Sequence, residues 1–513
     1  MADIYIEKVN EAYIKIHADL GYRKELWEYF TFKAKNYIYD RRYLNGWWSG
    51  DIHIMDAKKS TLYLGILGKV QEFARARGYT LELDPKLTPE PLEFTAAMAR
   101  RFIESLDIHH DGLPIAPRDH QIEALVKAVR DRRGFYLLST GSGKTYIDYV
   151  LIRWYLALGL KGLIVVPTTG LCTQLRADFV DYSSHNGWDV DAHLHMVYSG
   201  QERDSPKPVV VSTWQSAVKR EDSYLESFEF LIGEEADTFK AKSLISIGTR
   251  MTRAEHRIGM TGSLDDSQVD ALVLEGLFGP IQRLTTTKEL MDKGELSKIK
   301  ILCPILRHTP EAIKALRKQN ADDAKEMKER GKDAPQKFYK NEVDYLVGCV
   351  SRTAFVRNLA VSLEGTTVVL FQYLEHGKVL YEQIKAAAGS RKVFYVAGEV
   401  TPVLREQIRL ELNANPGSIV VASFGTFARG INIPNIMHIV FAFVFKAKAK
   451  LLQSIGRGLR VFVDKGWITL YDIVDDMRTK SWDNYSIRHF QERLETYGEE
   501  GFPYKMFNID LPA

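Results

Sequence analysis

The sequence predicts an α/β chain of two tandem parallel-sheet domains, with a small N-terminal α/β module before them and a short helical C-terminal tail after. Three observations carry this. From about residue 115, the apolar runs GFYLLST, GLIVVPT, PVVVSTW, FEFLIGEE and HRIGMTGS alternate with helical stretches. That is how strands covered on both faces by helices read. A second set follows, TTVVLFQY, KVFYVAG, SIVVASFG, HIVFAFVF and ITLYDIVD. Between the sets, residues 307–343 are rich in charge and poor in apolar side chains, as expected of a solvated helical insertion with a linker.

In chain order, residues 1–110 form the N-terminal module, with strand-like runs and the aromatic cluster Tyr43, Trp47, Trp48. It is expected to be a separate unit, with at least one of the two tryptophans in its core, because aromatic rings bury large areas. Residues 111–290 make the first α/β domain. Residues 291–475 make the second, with the charged insertion near 306–340. Residues 476–513 are the tail, where RHFQERLETYG reads as a basic amphipathic helix.

The bulk numbers agree. At roughly 150 residues per domain, 513 residues suggest about three domains. A content of 45% hydrophobic and 26% charged residues is that of a globular chain and excludes a disordered or fibrous one. A net charge of +3 permits a nucleic-acid partner without demanding one. Cys172, Cys303 and Cys349 are too few for a four-thiolate zinc site and lack paired spacing, so a reducing cytoplasm is expected. The start MADIYIEKVN has no signal-peptide core, and no window approaches the ~20 apolar residues of a membrane span. A soluble intracellular protein with no membrane partner is expected.

LLSTGSGKTY follows one apolar run and precedes a helical one. Thr140, Gly141, Ser142 and Gly143 would form a tight loop whose N–H groups point at phosphate oxygens. Lys144 would neutralise the β- and γ-phosphates, and the Thr145 hydroxyl would reach Mg²⁺. The helix starting near Lys144 adds its positive end. The generic motif has Gly where this chain has Leu138. The strand–loop–helix context still argues for a nucleoside triphosphate over a fortuitous Gly/Ser turn.

In phosphate-loop enzymes a second carboxylate comes from the end of a neighbouring strand. FEFLIGEE is such a strand. Glu234 would hold Mg²⁺ through its water shell, and Glu235 would act as general base on the attacking water. Asp237 would link this site to the loop MTGS. A solvent-facing acidic strand end is the plainer reading of the same residues.

In order, RDHQ, STGSGKT, VVPTTGLCTQ, VVVSTWQS, EEAD, MTGS, VASFGTFARGINIP and QSIGRGLR resemble the motif set of the superfamily 2 helicases and translocases. That resemblance implies two RecA-like domains, ATP and Mg²⁺ as cofactors, and adenine reading by Gln121. It also implies phosphate-backbone contacts by Thr168, Thr213, Gln215 and Thr426, and nucleotide contacts at Gly430 and Asn432. Arg457 and Arg460 lie three residues apart on one helix face, and the resemblance implies that they are arginine fingers across an interdomain cleft that closes on nucleotide. Two departures stand out. Glu234 replaces the usual Asp, and Asn432 replaces the Asp of many relatives.

The stretches RRYLNGWWSGDIHIMD, LGILGKVQEFARARGY, KELMDKGELSKIKI and LYDIVDD are similar to phage helicases of the UvsW type. This implies a DNA motor for forks, Holliday junctions, D-loops and R-loops in phage recombination and replication. Its partners would be branched double-stranded DNA, RNA–DNA hybrid and phage recombination proteins. The chain would act as a monomer in the cytoplasm of an infected bacterial host. Arg41 and Arg42, with Lys58 and Lys59, would be the module's DNA-facing charges. A restriction-complex motor, an RNA helicase and a DNA clamp with little hydrolysis are the alternatives.

Overall fold

The computed structural model describes residues 2–512 except 89, 91, 199–203, 265–266, 330–334, 399–406, 409, 413, 431–435, 444–450, 452–454 and 456–466. The chain divides into two compact units, Met1–Thr285 and Thr286–Ala513.

The first unit opens with strands β1 (Ile4–Lys8), β2 (Tyr13–Ala18), β3 (Thr31–Lys33), β4 (Asp51–His53), β5 (Thr61–Tyr63) and β6 (Leu81–Leu83). A mixed sheet of order β5-β2-β1-β6 forms, and β3 pairs β4 separately. After a minor pair, β7 (His109–His110) and β8 (Leu113–Pro114), come β9 (Arg133–Leu138), β10 (Gly162–Val166), β11 (Leu194–Val197), β12 (Val209–Thr213), β13 (Phe230–Glu234), β14 (His256–Thr261) and β15 (Ile281–Thr285). These seven make a parallel sheet of order β11-β12-β10-β13-β14-β9-β15. β10, β12 and β13 are buried at every position, as continuous Val/Ile/Leu runs require when helices cover both faces.

The N-terminal module is not the separate body that its sequence suggests. Ile4, Ile6, Leu62 and Ile66 belong to one buried cluster with Phe135, Leu137 and Leu163 of the large sheet. A Cβ on Gly65 would lie 2.1 Å from the carbonyl oxygen of Glu275, and one on Gly276 would lie 2.7 Å from the Tyr63 ring. Arg133 on β9 donates to the Glu11 carboxylate at 3.1 Å. Core sharing of this kind is set by three-dimensional packing between distant segments and leaves no local sequence mark. The tryptophans also differ from expectation. Trp47 is 79% exposed, and Trp48 is only half-buried, beneath Arg42 at 4.5 Å with its N–H donating to Asp51 O.

The second unit contains β16 (Lys298–Arg307), β17 (Thr366–Phe371), β18 (Val393–Val396), β19 (Ile419–Ser423), β20 (Ile436–Phe441), β21 (Trp467–Asp472), β22 (Val474–Asp476) and β23 (Tyr504–Asp510). The sheet runs β18-β19-β17-β20-β21-β16-β22, with β23 also pairing β16, and its pairings are parallel. The tail is therefore not helical throughout: the helix Tyr485–Glu499 is followed by β23. Most of that strand's side chains are exposed, so it has no apolar run to announce it. The charged insertion is two helices, Pro310–Glu329 and Pro335–Gly348. No described helix is long and apolar enough to cross a membrane.

Candidate nucleotide and nucleic-acid sites

The predicted phosphate loop lies between β9 and the helix Lys144–Ala157, at the carboxyl ends of the parallel strands, where α/β sheets bind ligands. Gly141 and Gly143 have φ of +88° and +82°, a conformation that costs glycine little and other residues more. Gly143 needs to be glycine for space as well, since a Cβ there would lie 2.5 Å from Gln121 Nε2.

Gln121 is almost wholly buried, and its amide is engaged with the loop. Its Nε2 donates to Ser142 O at 3.0 Å, and its Oε1 accepts the Arg118 N–H at 2.9 Å. His120 Nε2 also lies 2.8 Å from Ser142 O, and Arg118 donates to Gly141 O at 3.0 Å. The RDHQ element thus braces the phosphate loop from behind, which the sequence did not reveal for Arg118 and His120. Thr140 Oγ1 and Lys144 Nζ would lie 3.4 and 3.7 Å from a Cβ on Gly262, which places the MTGS loop beside them.

Glu234 ends β13, but β14 intervenes between it and β9. The carboxylate therefore comes from the next strand but one, not from an adjacent strand. Glu235 stands in the left-handed region at φ +47°, a strained place for a side chain of this size and one that clusters at functional sites. Its Oε1 is 3.7 Å from Lys144 Nζ. Asp237 accepts from the Thr261 hydroxyl at 2.9 Å, so the acidic strand end is tied to MTGS. Burial pulls the Lys144 pKa down, but Glu235, Glu234, Asp148 and Asp237 outweigh it and raise it.

Asp148 is the residue that sequence reasoning missed. It lies one turn beyond Lys144, is completely buried, and neither carboxyl oxygen has a hydrogen-bond donor among the described residues. Burial and then Glu234 hold its carboxyl protonated far above the usual range. The i, i+4 spacing from Lys144 was the available signal. Beside the protonated Asp148, the carboxyl groups of Glu234, Glu235 and Asp237 still surround a single ammonium, and the donors of the site are hard oxygens. Both features fit a divalent cation of the Mg²⁺ type.

Thr168, Thr213 and Gln215 line one open groove of about 890 Å³ beside the strand ends. Thr168 caps the helix Thr169–Tyr182, and the Thr213 hydroxyl donates to Ser216 Oγ at 3.2 Å. Lys219 and Arg220 also line it, the latter stacked 3.7 Å over Tyr224, together with the acidic Asp204 and Glu221. In the second unit Thr426 lies in the helix Phe424–Gly430, with its hydroxyl 2.7 Å from Ser423 Oγ, and Gly430 closes that helix. Asn432, Arg457 and Arg460 lie outside the described residues. Arg41 and Arg42 are both exposed, but Arg42 is clamped to Asp40 by bonds of 3.1 and 2.8 Å.

Residues 3–84 match the family described as DNA helicase UvsW, N-terminal. Residues 114–266 match Type III restriction enzyme, res subunit, and residues 351–462 match Helicase conserved C-terminal domain. The chain is 30% identical to the ATP-dependent DNA helicase uvsW of Enterobacteria phage T4, over 99% of this chain and 100% of that one. It is 23% identical to a DNA 3'-5' translocase XPB2 of Sulfurisphaera tokodaii, over 72% of this chain and 84% of that one. The crystal structure of T4 UvsW matches with a TM-score of 0.51 at 29% identity, covering 99% of this chain and all of that one.

Proposed function

The chain belongs to the UvsW family of superfamily 2 ATP-dependent DNA helicases, and from that premise we propose that it remodels branched nucleic acids such as forks, Holliday junctions, D-loops and R-loops. The observation that supports this most is the family match over residues 3–84, because the two motor domains alone recur in helicases of many kinds. Phage recombination and replication, in the cytoplasm of an infected bacterium, is the setting that follows.

In this reading the loop Thr140–Gly143 and Lys144 hold the phosphates of ATP, and Thr145 and Glu234 hold Mg²⁺, which supplies charge neutralisation on the transferring phosphoryl group. Glu235 exchanges its contact with Lys144 for the attacking water and accepts its proton. Thr168, Thr213, Gln215 and Thr426 contact backbone phosphates, which fixes position without reading sequence. The superfamily 2 resemblance implies nucleotide contacts for Arg457, Arg460 and Asn432 as well. The test compares fork, junction, R-loop and plain duplex substrates with and without ATP. ATP-dependent strand exchange on the branched substrates is expected, and equal or absent action on all four would refute the proposal.

A further inference from the structure

The insertion between β16 and β17 is firmly docked. Leu316 of the helix Pro310–Glu329 is buried with Val343 and Leu346 of the next helix and with Phe443 and Met477. Asn341 donates to Asn320 at 2.9 Å and to Asp323 at 2.6 Å. Glu342 accepts the backbone N–H groups of Tyr485 and Ser486, both at 2.8 Å, and so caps the tail helix.

With Leu316 turned inward, Lys314, Arg317 and Lys318 emerge together at the i, i+3, i+4 spacing that places them on one face. They line an open groove of about 630 Å³, with Arg478 and Thr479 also lining it. Arg478 is paired with Asp476 at 2.8 Å. Lys314, Arg317 and Lys318 have no carboxylate partner among the described residues, although the same helix carries Glu311, Asp322, Asp323 and Glu326. No carboxylate lines the groove itself.

We propose that this groove is a further nucleic-acid site, where Lys314, Arg317 and Lys318 grip the phosphate backbone of the DNA on which the motor works. Like charges at i, i+4 repel one another by a few tenths of a kcal/mol, and a concave setting concentrates their field. A solvated charged face would more simply be built with its acids interleaved as partners, and this helix has the acids to do so. A polyanion satisfies three unpaired cations together and releases its condensed counterions as it binds. The backbone is the fitting occupant because lysine ammoniums attract phosphate as point charges, the arginine fork binds it bidentately, and the chain's own substrate supplies a continuous run of phosphates. The proposal rests on the chain being a DNA motor and adds a contact outside the helicase motifs.

The test uses the full chain with Lys314→Glu, Arg317→Glu and Lys318→Glu combined, and the corresponding triple alanine variant to limit any effect on folding. Binding to a fork and to a plain duplex is measured from low to moderate salt, and ATP hydrolysis is measured alongside with and without DNA. Both variants should bind both DNAs more weakly. The slope of log affinity against log salt should become shallower by about 3, near 0.9 for each lost phosphate contact. Hydrolysis without DNA should be unchanged. An unchanged slope in a folded variant would make the groove a solvated face. A wild-type chain whose hydrolysis ignores DNA would refute the motor reading, and the groove with it.

Discussion

In the first unit Lys144 faces four carboxyl groups, and one of them, Asp148, has no donor although it is fully buried. In the second unit Asp475, equally buried, accepts from Arg352 Nε at 2.9 Å and lies 3.0 Å from His308 Nε2. Nearby, Arg493 makes two 2.9 Å bonds to Asp472, which also accepts from Tyr497 at 2.8 Å. Burying an ion costs several kcal/mol unless partners replace its water. In the second unit these charges pair with one another and tie strand ends to helices, although Arg352 Nη1 and Nη2 find no acceptor among the described residues. The first unit avoids that cost at Asp148, which is held protonated and is therefore not a buried ion, while Lys144 faces Glu235 at 3.7 Å.

The largest expected effect tests that contrast directly. Asp475→Asn leaves Arg352 and protonated His308 buried without a counter-charge and should cost about 3–5 kcal/mol of stability. Asp148→Asn keeps the size, removes an acid with no donor, and should leave the stability of the ligand-free protein equal or raised. Urea unfolding of the two variants decides it. Similar losses would mean that the first cluster is closed too.

Next come substitutions that spare the fold and remove the chemistry. Lys144→Ala should lower ATP turnover by about 10²-fold or more, since it removes a preorganised charge at the transferring phosphate. Glu235→Gln should lose about 10²–10⁴-fold, because an amide cannot take the proton of water. Glu234→Asp should retain turnover, since a carboxylate still faces the cation. The Glu234 and Glu235 variants should melt within a few degrees of the parent. Equal turnover of the Glu234 and Glu235 variants would erase the division between metal holder and base.

How much of this the sequence disclosed follows from how local each feature is. The phosphate loop, GEEAD and MTGS are short segments whose geometry depends on neighbours in the chain, so glycines and carboxylates at fixed spacing were legible. The role of Asp148 was not, because inside YIDYVLIRW it reads as one polar residue in a helix, and only the approach of β13 turns it toward Glu234. The shared core of the N-terminal module was hidden for the same reason: Ile4 and Phe135 meet only in three dimensions. β23 was missed because an edge strand with exposed side chains carries no burial pattern.

The two buried aspartates should respond to pH in opposite directions, while His308 shares the direction of Asp148. Burial lowers the His308 pKa, but its bonds to Asp475 and Cys349 outweigh this and lift it from 6.5 to about 9. Its folded value lies above its unfolded one, so its contribution is full below pH 6.5 and is lost as pH rises through about 9. Burial raises Asp475, but Arg352 and His308 outweigh it, so its contribution is present above the usual carboxylate range and is lost only as pH falls below that range. Asp148 is raised, so its contribution is present at low pH and is lost as pH climbs. From pH 7 to 9.5 the second unit should therefore lose stability through His308, and His308→Gln should flatten that loss. Hydrogen exchange of β22 relative to β13 reads each unit separately. A fall of equal size in the His308 variant would remove this histidine from the account.

The smallest effect concerns Cys349, at the edge of the closed cluster. It precedes the helix Val350–Ser362 as its N-cap, and its sulfur lies 3.5 Å from Ser351 Oγ. Burial raises its pKa, but hydrogen bonds from His308, Ser351 and the Arg352 N–H outweigh this and bring it from 9.0 to about 6. The Tyr345 hydroxyl, 2.8 Å from His308 Nδ1, faces the same group. Cys172 and Cys303 are completely buried, and burial pushes Cys172 up to about 12 and Cys303 higher still. At neutral pH Cys349 should therefore be the thiolate among the three, and iodoacetamide should label it first in the folded protein. Burial alone would protect the other two cysteines, so the order of labelling does not test the cluster, whereas the pH profile does. A thiol paired with His308 should reach half its limiting rate near pH 6. An unassisted one should do so near the ordinary pKa of about 8.5. His308→Gln should move the profile upward and slow labelling at pH 7 by about tenfold, with the gain in intrinsic nucleophilicity that accompanies a higher pKa moderating the loss. Should the parent already titrate near 8.5, Cys349 and His308 are not an ion pair, and the polar network of the second unit ends at His308.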